Sequence, residues 1–391
     1  MSAEVFSLSK GLYTAVHKCI RCGQCAYGKE EVNYEIICPV HMNRQFFTNT
    51  AGGIMQIARV IHEGKLKPSE SLRDLLYLCT GCEACEVNCG VISGQVEVIT
   101  LIKRWLNKSA IPYREGHELL LNNLTKTKAP YGDRIADRLE WLAGDVKKNL
   151  SSKPHVFYFV GCVSSFRETE MAVSFVNILK KLDIPFSLSN EEWCCGAPLY
   201  YLGLIDKCKE WARHNVDLIE KSGASVAVFT CPTCSMIFKK YYSSWIGEEL
   251  PFDLMHMSEF VEQLMKEGQL KFKHKIEKKV IYHDPCHLGR GQKIYDPPRN
   301  ILSEIPGIQM EEFRFNRENS LCCGGGGLLP AGFPQIADSL AERRAKESME
   351  KSPSMIVSCC PGCKESLKLG AKRSRLKIKV KDLSELIDES L

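Results

Sequence analysis

One cysteine pattern occurs twice in this chain, and it constrains the fold more than any other feature. Cys286 is followed after 35 residues by the adjacent pair Cys322 and Cys323, and after 36 more by Cys360 and Cys363 in Cys-Pro-Gly-Cys. Upstream stand Cys162, then 31 residues, Cys194 and Cys195, then 35 residues, Cys231 and Cys234 in Cys-Pro-Thr-Cys. Five thiols per copy is an odd number, so internal disulfides cannot close either copy. One metal cluster per copy is the better reading.

A Cys-x-x-Cys at a turn or helix start brings two sulfurs to one metal centre, with backbone N–H groups nearby to stabilise thiolate charge. Neighbouring side chains on a regular strand point to opposite faces, so each adjacent pair can serve one centre only from a turn. Glycines supply it. Gly196 follows the first pair, and Gly324, Gly325, Gly326 and Gly327 follow the second, giving backbone that can approach a bulky inorganic body closely. A phosphate loop would need Gly-Lys-Ser/Thr, which does not follow.

The N-terminal residues 1–110 carry a second signal. Cys19, Cys22 and Cys25, then Cys79, Cys82, Cys85 and Cys89, are ferredoxin-type runs, and Cys38-Pro39 closes the first run after twelve residues instead of three. In two-cluster ferredoxins the fourth cysteine of each run ligates the other cluster. That rule expects one [4Fe-4S] cubane on Cys19, Cys22, Cys25 and Cys89 and another on Cys79, Cys82, Cys85 and Cys38. Zinc sites commonly pair two Cys-x-x-Cys units, a different spelling. The insertion at 27–35 and Gly90 in place of a proline depart from the pattern. Between the runs, Ile54, Ile57, Ala58 and Ile61 recur at helical spacing, and Ser71 can cap a helix through Leu72, Leu75, Leu76 and Leu78. Helices joining motifs so far apart resemble an α-helical ferredoxin domain, the type found in succinate dehydrogenase iron–sulfur subunits.

Residues 111–153 read as a helical bridge in which Leu139, Trp141 and Leu142 pack a core. Two further units follow, 154–270 and 279–391, joined by the lysine-rich 271–279. In each, buried-strand runs (156–160 and 226–229; 280–282 and 355–357) precede cysteines and alternate with helical stretches (171–182; 336–349). The expected class is therefore α+β multidomain: a helical two-cluster ferredoxin domain, then a duplicated α/β module with parallel sheets, whose ligands collect beyond the carboxyl ends of the strands.

At 391 residues and 44% hydrophobic the chain can bury real cores. No apolar run approaches the roughly 20 residues that span a bilayer, and Ser2, Glu4 and Lys10 break up any leader, so a soluble, cytoplasmic protein is expected. Twenty cysteines in a long chain without an export signal fit metal-bound thiolates in a reducing compartment. The net charge of +5 ignores iron and carries no nucleic-acid inference.

The doubled five-cysteine pattern resembles the cysteine-rich CCG modules of heterodisulfide reductase catalytic subunits. The resemblance implies a noncubane [4Fe-4S] cluster on Cys162, Cys194, Cys195, Cys231 and Cys234 and another on Cys286, Cys322, Cys323, Cys360 and Cys363, four clusters in all, with Gly196, Gly324 and Gly325 beside them. It implies cleavage of a small disulfide, that of coenzyme M and coenzyme B in the family, with Cys323 at the reacting centre. It also implies a partner that supplies electrons, a flavoprotein or cytochrome b that can hold the chain at the inner membrane face; the chain itself has no flavin fingerprint. Similar chains serve lactate, glycolate and glycerol-3-phosphate dehydrogenases as electron carriers towards quinone.

His283 and His287 flank Cys286, either as proton donors or as hydrogen-bond partners that tune a cluster, and Arg290 and the basic stretch 364–381 offer charge to an anion or sit on a solvated face. Cys208 reads as structural, and Cys359 competes with Cys360 for the same ligand role.

Overall fold

The computed structural model describes residues 6, 8–144, 146 and 150–391. Ser2 and Glu4, the start of the expected ferredoxin domain and four positions of the expected bridge (145 and 147–149) lie outside the described residues.

Two four-stranded parallel sheets form the C-terminal two-thirds. The first contains β1 (Val156–Phe159), β2 (Phe186–Ser187), β3 (Val226–Phe229) and β4 (Asp253–His256) in the order β2-β1-β3-β4. The second contains β5 (Lys278–His283), β6 (Ile308–Glu312), β7 (Met355–Ser358) and β8 (Lys379–Asp382) in the order β6-β5-β7-β8. The two orders are the same one, so the cysteine repeat is a structural repeat. β1, β3 and β7 are buried at every residue, as unbroken apolar runs in a parallel sheet should be. The lysine-rich link is shorter than its composition suggests, because Lys278 and Lys279 already pair with β6.

The modules share a core. Tyr158, Phe175 and Val228 of the first lie in one apolar cluster with Val280, Tyr282, Val357 and Leu386 of the second. Helix Thr169–Lys181 packs on Leu383–Ser390, and Met257–Lys266 packs on Asp296–Glu304. Each contact joins an early helix of one module to the last helix of the other, which relates the modules by an approximate twofold.

The N-terminal region is helical, with Ala51–His62 and Glu70–Tyr77 between the cysteine runs and Gln95–Leu106 after them. The cap of the middle helix is Ser69 and not Ser71: the Ser69 hydroxyl accepts from Leu72 N–H at 3.2 Å, and Ser71 already lies within the first turn. The insertion at 27–35 is a docking device. Lys29 N–H donates to the Asn319 side chain at 2.9 Å, Lys29 and Glu35 pair with Glu318 and Arg314, and Val32 packs with Phe315, Leu321 and Cys322. The expected bridge supplies a helix, Glu115–Thr127, and a short turn that buries Leu139 and Leu142.

Candidate iron–sulfur and substrate site

In both sheets the chain runs from the first strand to an edge, then crosses back to the other side of that strand, so the order reverses between β1 and β3 and between β5 and β7. Open parallel sheets hold ligands at that reversal, beyond the strand carboxyl ends. Cys162 follows β1 and Cys231 follows β3; Cys286 follows β5 and Cys360 follows β7. The remaining cysteines of each set come from the segments after β2 and β6 and from the first turns of Pro232–Ile237 and Pro361–Arg373.

The adjacent pairs sit in turns. Gly196 and Gly324 both take φ of 86°, the left-handed region, and Gly324 N–H points at the Cys322 sulfur at 3.4 Å. Cys363 N–H points at the Cys360 sulfur at 3.4 Å, and the Cys323 and Cys363 sulfurs are 3.3 Å apart. Gly325 lines the cavity and abuts Ser366 and the Gly362 carbonyl.

All twenty cysteines are free thiols. Crowding sets their charge. Donation from Cys194 and Cys234 pulls Cys195 down to about 6, and donation from Cys286 and Cys323 pulls Cys322 well below its usual value. Their neighbours Cys162, Cys234, Cys286 and Cys363 are pushed up, first by hydrogen bonding to other cysteine sulfurs and then by burial. Several buried sulfurs that cannot all ionise together form a donor set that suits a multiply charged iron–sulfur core.

Cys359 stands apart. It is fully buried in the core between the sheets, where Tyr282 donates to its sulfur at 3.7 Å, while Cys360 lies with Cys323 and Cys363. Cys208 is buried too, 3.8 Å from the Gly196 carbonyl.

Cys162, Cys194, Cys195, Cys231 and Cys234 line one cavity of about 600 Å³ together with Cys286, Cys322, Cys323, Cys360 and Cys363. The two thiol sets therefore open onto the same space. His287, Tyr201 and Thr233 line it between them. His287 Nε2 lies 3.1 Å from the Gly81 carbonyl, which can only accept, so Nε2 carries the proton and Nδ1 accepts from the Thr233 hydroxyl at 2.8 Å. Burial pushes His287 down and keeps it neutral. His283 accepts from Arg344 Nε at 3.0 Å and lies beside Cys323 and Cys363.

Two of the basic residues considered for an anion, Arg290 and Lys364, are otherwise engaged. Arg290 donates to the carbonyls of Cys82, Glu318 and Ser320, and Lys364 pairs with Glu168 and Glu385 at 3.0 and 2.6 Å.

A second, smaller cavity of about 150 Å³ is lined by Cys19, Cys22, Cys25 and Cys89, with Gly52 N–H donating to the Cys25 sulfur at 3.3 Å. Burial pushes the thiols of Cys38, Cys79 and Cys85 up, and the neighbouring cysteine sulfurs of the same set, Cys82 among them, add to that rise. The Cys79–Cys82 loop meets the second module directly: Thr80 Oγ1 is 3.6 Å from the Cys322 sulfur, and a Cβ on Gly327 would lie 2.3 Å from Thr80 Cα.

Two residues had no local signal. Arg138, from the expected bridge, is fully buried, pairs with Glu192 at 2.8 Å and reaches the Cys162 sulfur at 3.6 Å. Burial works against its charge, but Glu192 and Cys162 more than offset that. Tyr201 is the other; only its nearness to Gly196 in sequence hinted at the site.

Comparison with known proteins agrees with this geometry. A family model described as a cysteine-rich domain matches residues 156–239 and again 280–368, and one described as a 4Fe-4S dicluster domain matches 15–91. The D-type subunit of the dihydromethanophenazine:CoB–CoM heterodisulfide reductase of Methanosarcina mazei is 34% identical over 95% of this chain and 93% of that protein. The EtfAB:quinone oxidoreductase of Syntrophomonas wolfei is 27% identical over 80% of this chain and 46% of its own length. Among solved structures, a hypothetical protein from Helicobacter pylori shares the fold with a TM-score of 0.60 at 11% identity, covering 98% of this chain and 73% of that one. With a helical two-run ferredoxin region, two matched cysteine-rich modules and this likeness along almost its whole length, the chain belongs to the family of iron–sulfur oxidoreductases formed by the D-type subunits of heterodisulfide reductase.

Proposed function

We propose that the chain reduces a small disulfide in the cavity shared by its two modules, using electrons that a partner protein delivers to the N-terminal domain. The observation that carries this is the convergence of both five-thiol sets on one space, so that each sulfur of a bound disulfide faces its own set. Cys19, Cys22, Cys25 and Cys89 would hold one cubane and Cys38, Cys79, Cys82 and Cys85 the other; the two five-cysteine sets would hold the noncubane clusters. When bound, these [4Fe-4S] groups supply one-electron transfer and iron with affinity for sulfur.

Cleaving R–S–S–R′ to two thiols takes two electrons and two protons. The chain's own groups supply the proton path. Tyr201 is almost fully buried and its phenol is pushed well above its usual range by that burial, so it stays protonated. Its oxygen lies 3.1 Å from His287 Nε2, whose hydrogen is shared with the Gly81 carbonyl, which frees the phenol O–H to turn into the cavity. His287 thus orients the donor and can restore its proton, and Thr233 fixes the opposite ring nitrogen.

The partner would dock where the outer thiol set reaches the surface. Cys22 is exposed there, flanked by Ile20 at 67% and Val91 at 48% exposure. A flavoprotein or a cytochrome b fits this role, and the latter would hold the chain at the inner face of a membrane. Among the described residues no helix is long and apolar enough to cross one.

The test is anaerobic purification, iron and sulfide analysis for about sixteen iron per chain, and reduction of mixed disulfides by reduced viologen. Low-temperature EPR should show a disulfide-dependent signal that Cys323→Ser abolishes. Absence of both turnover and that signal would instead favour an electron carrier between a flavoprotein and quinone, the reading suggested by the likeness to the Syntrophomonas protein.

A further inference from the structure

Every residue that lines the smaller thiol cavity comes from three segments, 8–28, 36–62 and 87–96, and none of these contains an aspartate or glutamate. The whole chain has 47 acids against 52 lysines and arginines, so the outer thiol set sits in a local exception to that balance. Lys18, Arg21 and Arg44 are exposed there, and among the described residues none of the three has an ion pair or a side-chain hydrogen bond. Arg21 lines the cavity itself, Lys18 ends the helix Lys10–Lys18 next to Cys19, and Arg44 stands three residues before Phe47. A Cβ on Gly52, a lining residue, would lie 3.5 Å from the Phe47 ring. Phe46 and Ile20, at 69% and 67% exposure, are the most exposed large apolar side chains among the described residues. The acids nearest in sequence, Glu30, Glu35, Glu63, Glu86 and Glu97, line no part of the cavity, and Glu35, Glu63 and Glu86 are held by Arg314, Arg59 and Val96 N–H. The outer thiol set therefore opens onto an apolar surface with unpaired cations beside it.

We propose that this face docks a soluble electron carrier whose redox group is bordered by carboxylates, the carboxylates meeting Lys18, Arg21 and Arg44 and the apolar centre covering Ile20, Phe46 and Val91. It rests on the reading in which a partner delivers electrons to the N-terminal domain. Unpaired cations around an apolar patch steer an acidic protein to it and repel a basic one, while the apolar centre gives the short-range fit. An integral membrane subunit is the poorer match, because its cytoplasmic loops carry an excess of lysine and arginine and would meet like charge. Each encounter passes one electron from the carrier, which is oxidised, to the group that Cys19, Cys22, Cys25 and Cys89 would hold, so two encounters serve one disulfide.

The test mixes anaerobic holoprotein with the hydroquinone form of a flavodoxin, a small acidic flavoprotein, and follows the bleaching of iron–sulfur absorbance by stopped flow. Binding of oxidised flavodoxin is measured in parallel by calorimetry. The second-order rate should fall by about tenfold or more between roughly 20 and roughly 300 mM salt, whereas the rate with the cationic viologen radical should hold or rise. Lys18→Glu with Arg21→Glu and Arg44→Glu should lower the flavodoxin rate and affinity by about tenfold or more at low salt and remove the salt dependence. The three corresponding changes to glutamine should fall between, with iron content matched to the wild type in each case. No flavodoxin binding at low salt, or a rate indifferent to salt and to the variants, overturns the proposal, while disulfide turnover with viologen leaves the reductase reading standing. Charge-dependent transfer from flavodoxin without turnover of any disulfide overturns the reductase reading and keeps the docking face. Binding to phosphatidylglycerol vesicles that the charge-reversed variant loses, with flavodoxin rates unchanged, overturns the carrier and makes the face a membrane anchor.

Discussion

The hydroxyl of Tyr201, from the first module, lies 3.1 Å from Nε2 of His287, from the second. The two rings are stacked, 18° from parallel, and both line the cavity onto which the two thiol sets open. On the proposed function, proton supply and sulfur chemistry would meet where the modules meet. Tyr201→Phe should keep iron content and KM and lower kcat by about a hundredfold, the low end of what a positioned acid contributes. A solvent isotope effect on kcat checks it; an unchanged rate removes Tyr201 from the proton path.

Cys359 and Cys360 are neighbours with opposite surroundings, one against Tyr282 in the inter-sheet core and one beside Cys323 and Cys363. Cys360→Ala should lose about four of about sixteen iron. Cys359→Ala should keep all of them and cost about 1 kcal/mol for the small void it leaves. Equal iron loss in both variants would show that the ligand roles are shared.

Arg138 and Glu192 form an ion pair with both side chains fully buried, and Glu192 also accepts from Val160 and Gly161 N–H at 2.9 Å. Arg138→Met leaves that carboxylate without its cation, so a loss of about 3–5 kcal/mol is expected. The loss should appear in denaturant unfolding together with reduced iron in the first module, because the Arg138 contact to Cys162 goes as well. Arg138→Lys should recover only part of both.

Ile20 and Val91 flank the exposed Cys22. Ile20→Asp with Val91→Asp should slow reduction by the physiological partner by about tenfold or more through a raised KM for that partner. Reduction by small viologens should not change. Equal slowing with both donors would place the partner elsewhere.

His117 is buried beside Leu328 and is pushed down to about 4, first by burial and then by the charges of Lys103, Arg114 and Arg73. Its folded value lies below its unfolded one near 6.5, so the unfolded chain takes up the proton first and stability falls as pH drops below 6.5. Between pH 7.5 and 5.5 this residue should cost about 1 kcal/mol, and His117→Gln should remove that slope. Thermal unfolding of both proteins at the two pH values reads it; parallel slopes would mean that His117 takes up its proton as readily in the fold as in the unfolded chain.

Spacing alone made the cysteine sets, their glycine turns and the alternating strands and helices legible, since each depends on a few consecutive residues and on which backbone conformations those residues can take. The Cys359 and Cys360 choice was not legible, because adjacent side chains leave a strand end in different directions and only the packed sheets show which direction faces the cavity. Nor was the docking role of 27–35, whose partners Glu318, Asn319 and Phe315 lie nearly three hundred residues away. Tyr201 and Arg138 reach the site from segments with no motif of their own. Sequence thus determined that iron-binding thiols gather at the ends of parallel strands. Tertiary structure decided that the two gatherings face each other across one cavity with a tyrosine and a histidine around it, because which surfaces meet is set by many weak contacts between distant segments that no local pattern encodes.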